Sequence, residues 1–515
     1  MTGGGSLGIP TIIDRLVQQC ILQVLEPICE AKFHERNNGF RPNRSAEHAI
    51  AQCCRMIQLQ HLHFVVDIDI KGFFDNVNHS KLIRQIWAMG IRDKKLICVI
   101  KQMLKAPIVL PDGTKLYPTK GTPQGGILSP LLANIVLNEL DWWISSQWET
   151  IPTHHYYQPR IRSNGNVTSS NRFRVLKKSN LKEMYIVRYA DDFKIFCRKR
   201  SDADKIFIAV KKWLKVRLKL EISEEKSKVV NLKKNYSEFL GFKMKALKKA
   251  DKYVVTSHMS NKSVKRVTRK LKEQIIKIEH SGTGNEREIQ VRHYNTIVFG
   301  IHNYYRIATL VSEDCHQIYD SIRKVIFNRL RHQLRENGKI ESEYIQKHYG
   351  SSQMLRFIGN TPIVPFGYIR NKKPLCKKFK VCKYTPEGRE EIHRSLNFDD
   401  NVVQTMHLLS KFNLHGRSIE YMDNRISLYA AQYGKCAVTG EILWVDEIHC
   451  HHKKPVSQGG TDEYQNLVIV SKDVHKLVHA SKQEIINAYR NKLNLNKSQL
   501  KKLNKLRTMA GNPAI

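Results

Sequence analysis

The chain has 11 cysteines but no C-x-x-C pair, and their odd number and scatter (Cys20, Cys29, Cys53, Cys54, Cys98 and onward) exclude a disulfide framework. Most are expected to be reduced core thiols. No apolar run is long enough to span a bilayer, which excludes a helical membrane protein. The opening MTGGGS has neither the charged and apolar regions of a signal peptide nor the Arg-rich character of a transit peptide. The expectation is a cytosolic protein, in the cytoplasm or nucleoid of a bacterium or else in an organelle, with no membrane partner. Internal repeats and low-complexity tracts are missing too. Acid is scarce: 47 Asp plus Glu stand against 86 Lys plus Arg, a net charge of +39 with a pI of about 9.8. A polyanion is therefore the expected partner, nucleic acid or an anionic surface. What is present is ordinary for a globular protein, 41% apolar and 9% aromatic. At about 150 residues per domain, 515 residues make three or four domains.

The texture of the chain changes along its length. Up to about residue 250, apolar stretches alternate with Gly/Pro turns. Between Tyr253 and Pro365 lies a basic helical region, where Val264, Val267, Leu271, Ile275 and Ile278 recur at helical spacing with Lys265, Arg266, Arg269, Lys270 and Lys272 between them. This pattern predicts one docked apolar face and one open basic face, with a connection at Ser281–Asn285. A lysine-dense stretch follows at Arg370–Lys383, and histidines and turn residues concentrate after Tyr433.

The strongest local signal is Tyr189-Ala190-Asp191-Asp192 between two β-prone runs, Met184–Arg188 and Phe193–Cys197, which predicts a hairpin with an acidic tip. Adjacent carboxylates repel unless a divalent cation neutralises them, so the tip suits Mg²⁺. A solvated Asp-Asp turn explains an isolated pair equally well. The pair is not isolated, because Phe64 to Asp75 reads as a strand ending in Asp69 with Phe73 and Phe74 just beyond. Carboxylates delivered by two strands are what two-metal phosphoryl transfer needs. Between them, Gly121 to Gly126 forms a turn into an apolar helix expected over Ile127–Leu140; alone it signals a helix entry.

Here the sequence resembles reverse transcriptases, and among them the proteins encoded by mobile group II introns. The resemblance rests on ordered blocks across residues 7–244: LGIPTIIDRLVQQCILQVLEPI, NGFRPNRSAEHAI, VDIDIKGFFDNVNH, GTPQGGILSPLLANIVLNELD, YIVRYADDFKIF, LEISEEKSKVV and EFLGFKM. It implies that Asp69, Asp191 and Asp192 are catalytic, with Asp69 and Asp191 ligating two Mg²⁺ ions and dNTPs as substrates. Phe74 would crowd a ribose 2′-OH, Gln124 would position the incoming nucleotide, and Lys226 would protonate the pyrophosphate leaving group or else be a solvated surface lysine. Family members have a substantial stretch, with a basic fingers strand, before LGIPTI; here MTGGGS stands in its place.

Tyr294 to Tyr305 resembles, more loosely, the thumb or X domain that supports intron splicing. Core aromatics at Tyr294, Phe299 and Tyr304 account for its apolar positions, leaving Lys265, Arg266, Arg269 and Lys270 to hold RNA phosphates. Lys372, Lys373, Lys377, Lys378 and Lys380 sit where the family carries a DNA-binding segment, with a solvated charge run as the competing reading.

Near the end, His451-His452 is followed by a Gly-Gly turn, Asn466, and His475 and His479 at i, i+4. That spacing puts two imidazoles on one helix face within reach of a single ion. The segment resembles the HNH (ββα-metal) endonuclease module. By that resemblance His451, His475 and His479 bind one divalent metal, Mg²⁺ or similar, His452 is the general base, and Asn466 braces the loop. Relatives often add a zinc held by two cysteine pairs, but here only Cys436 matches, with Thr439, Ser471 and Val474 at the other positions and Cys450 unable to complete the set. No four-cysteine zinc site is expected.

The expected fold is multidomain α+β: right-hand polymerase fingers and palm (1–250), an α-helical thumb or maturase X domain (251–365), a basic DNA-binding segment (366–430) and a ββα-metal HNH module (431–515). The leading reading is a group II intron-encoded reverse transcriptase, maturase and DNA endonuclease whose partners are intron RNA and double-stranded target DNA. A splicing-only maturase whose polymerase is disabled by loss of the N-terminal fingers is the alternative from the binding class. A cellular nuclease on a borrowed polymerase scaffold leaves the X-like region unexplained.

Overall fold

The computed structural model describes residues 8–123, 125–161, 167–168, 170–282, 284–376, 382–395, 400–411, 414 and 416–515. Gln124, Lys377, Lys378 and Lys380 lie outside the described residues. The chain divides into two compact units, Met1–Phe379 and Lys380–Ile515.

The first unit is organised on a four-stranded antiparallel sheet in the order Met184–Tyr189, Asp192–Cys197, Phe64–Ile68, Lys228–Asn231. Ile186 and Val187 point to opposite faces yet are both fully buried, so both faces are covered. This is why these strands read as continuous apolar runs. Helices Ala46–Gln58, Ser129–Ser146 and Arg200–Trp213 pack against the sheet. The helix expected over Ile127–Leu140 thus begins and ends later. Pro130 takes its first turn, where a missing N–H costs nothing, and Asp141, Ile144 and Ser145 keep its buried face going past Leu140.

A three-stranded meander follows, Ser237–Phe239, Phe242–Lys249 and Lys252–Met259. The 250/251 division expected from the sequence falls in the tight turn of its second hairpin. Helices Asn261–Glu279, Gly284–Tyr305 and Val311–Leu330 then pack together. Ser260 caps the first of them, its hydroxyl accepting from the Ser263 amide at 3.2 Å. Val267, Leu271, Ile275 and Ile278 are buried, while Lys265, Arg266, Arg269 and Lys270 are exposed, as the periodicity predicts. Tyr294 is buried and Phe299 partly so, but Tyr304 is 42% exposed. Val291, Tyr294, Val298, His302 and Tyr305 share the buried face, so the helical repeat puts Tyr305 in the core and Tyr304 outside it.

In the second unit, helix Ile419–Ala431 precedes a hairpin of strands Ile448–His452 and Leu467–Ser471 that leads directly into helix Lys472–His479. Leu467, Ile469, Val474, Leu477 and Val478 form its core. Helix Lys497–Met509 adds the fully buried Arg507, which donates to the Ala480 carbonyl at 3.0 Å and so caps the end of the histidine-bearing helix. Among the described residues no helix is long and apolar enough to cross a membrane.

Candidate functional site

The hairpin Met184–Cys197 turns at Ala190-Asp191, with Tyr189 opposite Asp192 and Ala190 at φ 58°. Strand Phe64–Ile68 lies beside Asp192–Cys197 and releases Asp69 just past its end. The three carboxylates therefore come from one end of one sheet. Loss of surrounding water raises the Asp191 carboxyl, and Asp69 adds to it. Although part of Asp192 reaches solvent, the protein around its carboxyl lifts it to about 6, with Asp67 and Asp191 adding and Lys194 opposing. Carboxylates crowded against each other this way fit divalent cations. Lys226 Nζ is 3.5 Å from Asp69 Oδ2.

Asp67, two residues before Asp69, has a different task. It is buried, accepts from Lys194 Nζ at 2.8 Å and from Ser237 Oγ at 3.0 Å, and ties the sheet together. Phe74 is half-buried, edge-to-face with Phe73. Its carbonyl accepts from the Thr122 amide at 2.7 Å, and the Gly121 amide donates to the Val77 carbonyl at 2.7 Å. The Gly/Pro turn is thereby fastened to the residues following Asp69.

Sequence reasoning missed what supports the hairpin. Arg188, in the middle of a strand, is 0% exposed and ion-paired with Asp141, also 0% exposed, at 2.6 Å. It also donates to Asn134 Oδ1 at 3.0 Å and to the Ala190 carbonyl at 2.8 Å, directly beneath the acidic tip. The Asn38 amide donates to the Arg188 carbonyl at 2.8 Å. Gly39 passes so close that a Cβ there would lie 2.1 Å from the Ala190 nitrogen. A single charged residue inside the apolar run MYIVRY was the available signal for Arg188.

A cleft of about 670 Å³ opens at Asp192 and runs along Glu238–Gly241 to Lys262, Arg266 and Tyr304. Arg266, expected on an RNA-facing surface, thus borders the carboxylate site, where its guanidinium donates to the Tyr305 hydroxyl at 3.4 Å. Exposure of Tyr304 follows from the same cleft. Lys265, Arg269 and Lys270 face solvent on the same helix. Lys372 lies 3.9 Å from Glu47, and Lys373 is exposed.

In the second unit, His451, His475 and His479 converge, each offering a ring nitrogen within 4.8 Å of the others. His451 is 1% exposed and its buried Nε2 has no hydrogen-bond partner. Burial lowers His451 to about 3, with His475 and His479 adding, and lowers His475 to about 4, with His449 and His479 adding. Neutral imidazoles around an unsatisfied buried nitrogen fit a metal ion. His449, stacked on His475 at 3.6 Å between ring centroids, joins the cluster unforeseen. His452 stands apart, its Nε2 bonded to Asp462 Oδ1 at 2.7 Å. Asp462, held below the usual carboxylate range by the Ser418 hydroxyl and then by His452, was also missed, since ten positions separate it from its partner. Asn466 accepts from the Lys454 amide at 2.9 Å and donates to the Lys454 and Thr461 carbonyls at 3.1 and 2.8 Å, bracing the loop after His452. Cys436 and Cys450 are both buried, and Cys436 Sγ accepts from the Ser471 amide at 3.4 Å.

Comparison with known proteins places these geometries. Residues 6–244 match the reverse transcriptase (RNA-dependent DNA polymerase) family, and residues 434–481 match the HNH endonuclease family. The group II intron-encoded protein LtrA of Lactococcus lactis subsp. cremoris is 34% identical over 266 residues, covering 46% of this chain and 43% of LtrA. Protein YkfC of Escherichia coli (strain K12) is 30% identical over 256 residues, covering 48% of this chain and 64% of YkfC. A putative COX1/OXI3 intron 2 protein of Saccharomyces cerevisiae is 27% identical over 357 residues, covering 60% of this chain and 41% of that protein. The chain thus spans roughly half the length of these relatives. A reverse transcriptase match thus surrounds the acidic hairpin and an HNH match surrounds the histidines, and the first part of the chain is similar to a group II intron-encoded protein.

Proposed function

We propose that this protein copies RNA into DNA at Asp69, Asp191 and Asp192, assists the splicing of a group II intron RNA, and nicks double-stranded target DNA at His452, so that the intron inserts by target-primed reverse transcription. The observation that carries the reading is the delivery of Asp69, Asp191 and Asp192 to one end of a sheet, beside a cleft bordered by cations. The four-stranded sheet with its meander would serve as palm, the helices from Asn261 to Leu330 as thumb or X domain, and the segment with Lys372, Lys373, Lys377, Lys378 and Lys380 as a DNA contact. Two Mg²⁺ ions on Asp69 and Asp191, when bound, would neutralise charge on the attacking 3′-oxygen and the triphosphate of a dNTP. Lys226, beside Asp69, would supply a proton to the departing pyrophosphate. Phe74 would exclude a ribose 2′-OH, and Gln124 would position the nucleotide. Lys265, Arg266, Arg269 and Lys270 would hold RNA phosphates without reading bases. In the second domain His451, His475 and His479 would hold one divalent ion. The His452–Asp462 bond orients the imidazole with Nδ1 free to take a proton from water. The setting would be the cytoplasm or nucleoid of a bacterium.

Asp191→Ala and His452→Ala test the assignment together. The first should abolish Mg²⁺-dependent primer extension on an RNA template while sparing strand nicking. The second should lower nicking of supercoiled DNA by about two to four orders of magnitude, retain bound metal, and leave extension unchanged. Extension at a wild-type rate by Asp191→Ala would remove the polymerase assignment, and nicking that survives His452→Ala would remove that of the base.

A further inference from the structure

A second cavity, of about 140 Å³, lies between helix Gly284–Tyr305, helix Glu343–Tyr349 and the chain from Ser351 to Arg370, away from both clusters described above. Three cations line it, Arg306, Lys347 and Arg370, and no carboxylate does. Among the described residues none of the three is ion-paired, so no carboxylate competes for them. An acid-free concavity with three unneutralised cations is built for an anion.

The remaining lining makes the anion more specific. Tyr344 is 47% exposed and forms a stack with His348, 4.3 Å between ring centroids, with Phe299 edge-on behind it at 5.2 Å. The deeper wall is rigid. His302 uses both ring nitrogens, on the Tyr349 hydroxyl at 2.8 Å and the Phe366 carbonyl at 2.9 Å, and Ser351 Oγ and the Tyr368 hydroxyl are 2.9 Å apart. A free phosphate or an acidic peptide would satisfy the cations and leave the aromatic stack without a role. A nucleotide uses both: its phosphate meets the cations and its base extends the stack. A hollow of this size excludes a duplex and takes part of one nucleotide, with the base on the exposed rim formed by Tyr344.

We propose that this cavity captures a single unstacked nucleotide of the bound RNA, its phosphate between Arg306, Lys347 and Arg370 and its base on the Tyr344–His348 stack. The proposal rests on the RNA-binding reading above and narrows it to a bulged or looped nucleotide, the form in which RNA offers a base for stacking.

Two fluorescein-labelled RNA hairpins, identical except for one bulged uridine, separate this from general attraction to phosphate. The full-length protein should bind the bulged hairpin about tenfold more tightly, the usual worth of one base stacked on an aromatic ring. Tyr344→Leu and the pair Lys347→Gln/Arg370→Gln should each reduce that preference to near unity. All three side chains are exposed, and affinity for the paired hairpin, expected to stay within about twofold, checks that the variants are folded. Equal affinity of the wild type for both hairpins, or a preference that survives the substitutions, would overturn the proposal while leaving RNA binding intact. Failure to bind either hairpin would overturn the RNA-binding reading itself. The same preference for a bulged DNA hairpin would overturn the assignment to RNA.

Discussion

Arg188→Met would remove a guanidinium that is 0% exposed and leave the carboxylate of Asp141, also 0% exposed, without its cation. Breaking one side of a fully buried pair typically costs about 3–5 kcal/mol, because the surviving charge has neither water nor a counter-ion. Here the loss extends further, since Arg188 also donates to Asn134 Oδ1 and to the Ala190 carbonyl. Adding Asp141→Leu should restore most of the stability, because apolar groups can replace a buried ion pair at little net cost. It should not restore primer extension, as the Ala190 carbonyl beneath the acidic tip still lacks its donor. All the tryptophans but Trp444 lie in the first unit, so urea unfolding followed by tryptophan fluorescence reports on this region. A single variant within about 1 kcal/mol of wild type, or a double variant no more stable than the single, would refute the reasoning.

Gly39→Ala should destabilise the first unit by about 1–3 kcal/mol and lower primer extension, because the new Cβ meets the backbone of Tyr189 and Ala190 and not a movable side chain; thermal unfolding beside extension assays would check it. The metal-free second domain should lose stability as pH falls below about 6.5. His451, 1% exposed and depressed to about 3, stays neutral while its unfolded counterpart takes up a proton. That group alone costs about 1.4 kcal/mol at pH 5.5, His449 and His475, lowered to about 4, act in the same direction, and His451→Phe should make the pH profile shallower by the share of His451. Calorimetry in buffers of different ionisation enthalpy should show metal binding at pH 7 with little proton release, since the His451 and His475 rings are already neutral.

Both clusters were legible because their spacing repeats the period of the element that carries them. Asp191 and Asp192 sit between two apolar strand runs, and His475 and His479 lie one helical turn apart. What stayed hidden depends on partners distant in the chain. Arg188 finds Asp141 across 47 positions, and Gly39 is a glycine because a backbone about 150 residues away passes it. Tyr304 and Tyr305 could not be told apart by composition; only the phase set by Val291, Tyr294 and Val298 decides which is buried. Asp462 reaches His452 through a loop whose shape depends on Asn466. Local periodicity carries no information about the Arg188, Gly39 and Asp462 closures, whereas the choice between Tyr304 and Tyr305 lay in the helical phase itself.

The order of the strands also sets when each cluster can come into being. Phe64–Ile68 is flanked by Asp192–Cys197 and Lys228–Asn231, so during synthesis it has no strand neighbour until the chain has grown past residue 197 and is not paired on both sides until past residue 231. At typical translation rates that is an interval of about 10–30 s, with a short apolar strand waiting unpaired, the kind of segment that chaperones cover and aggregates recruit. Closure over such separations is slow even once the partners are present. The histidine cluster faces no comparable delay, because both of its strands and its helix lie within Ile448–His479 and can meet as they leave the ribosome. Chains stalled before residue 192 should therefore accumulate with Phe64–Ile68 unpaired and Asp69 without the acidic hairpin beside it, whereas the histidine hairpin closes almost as soon as it is made.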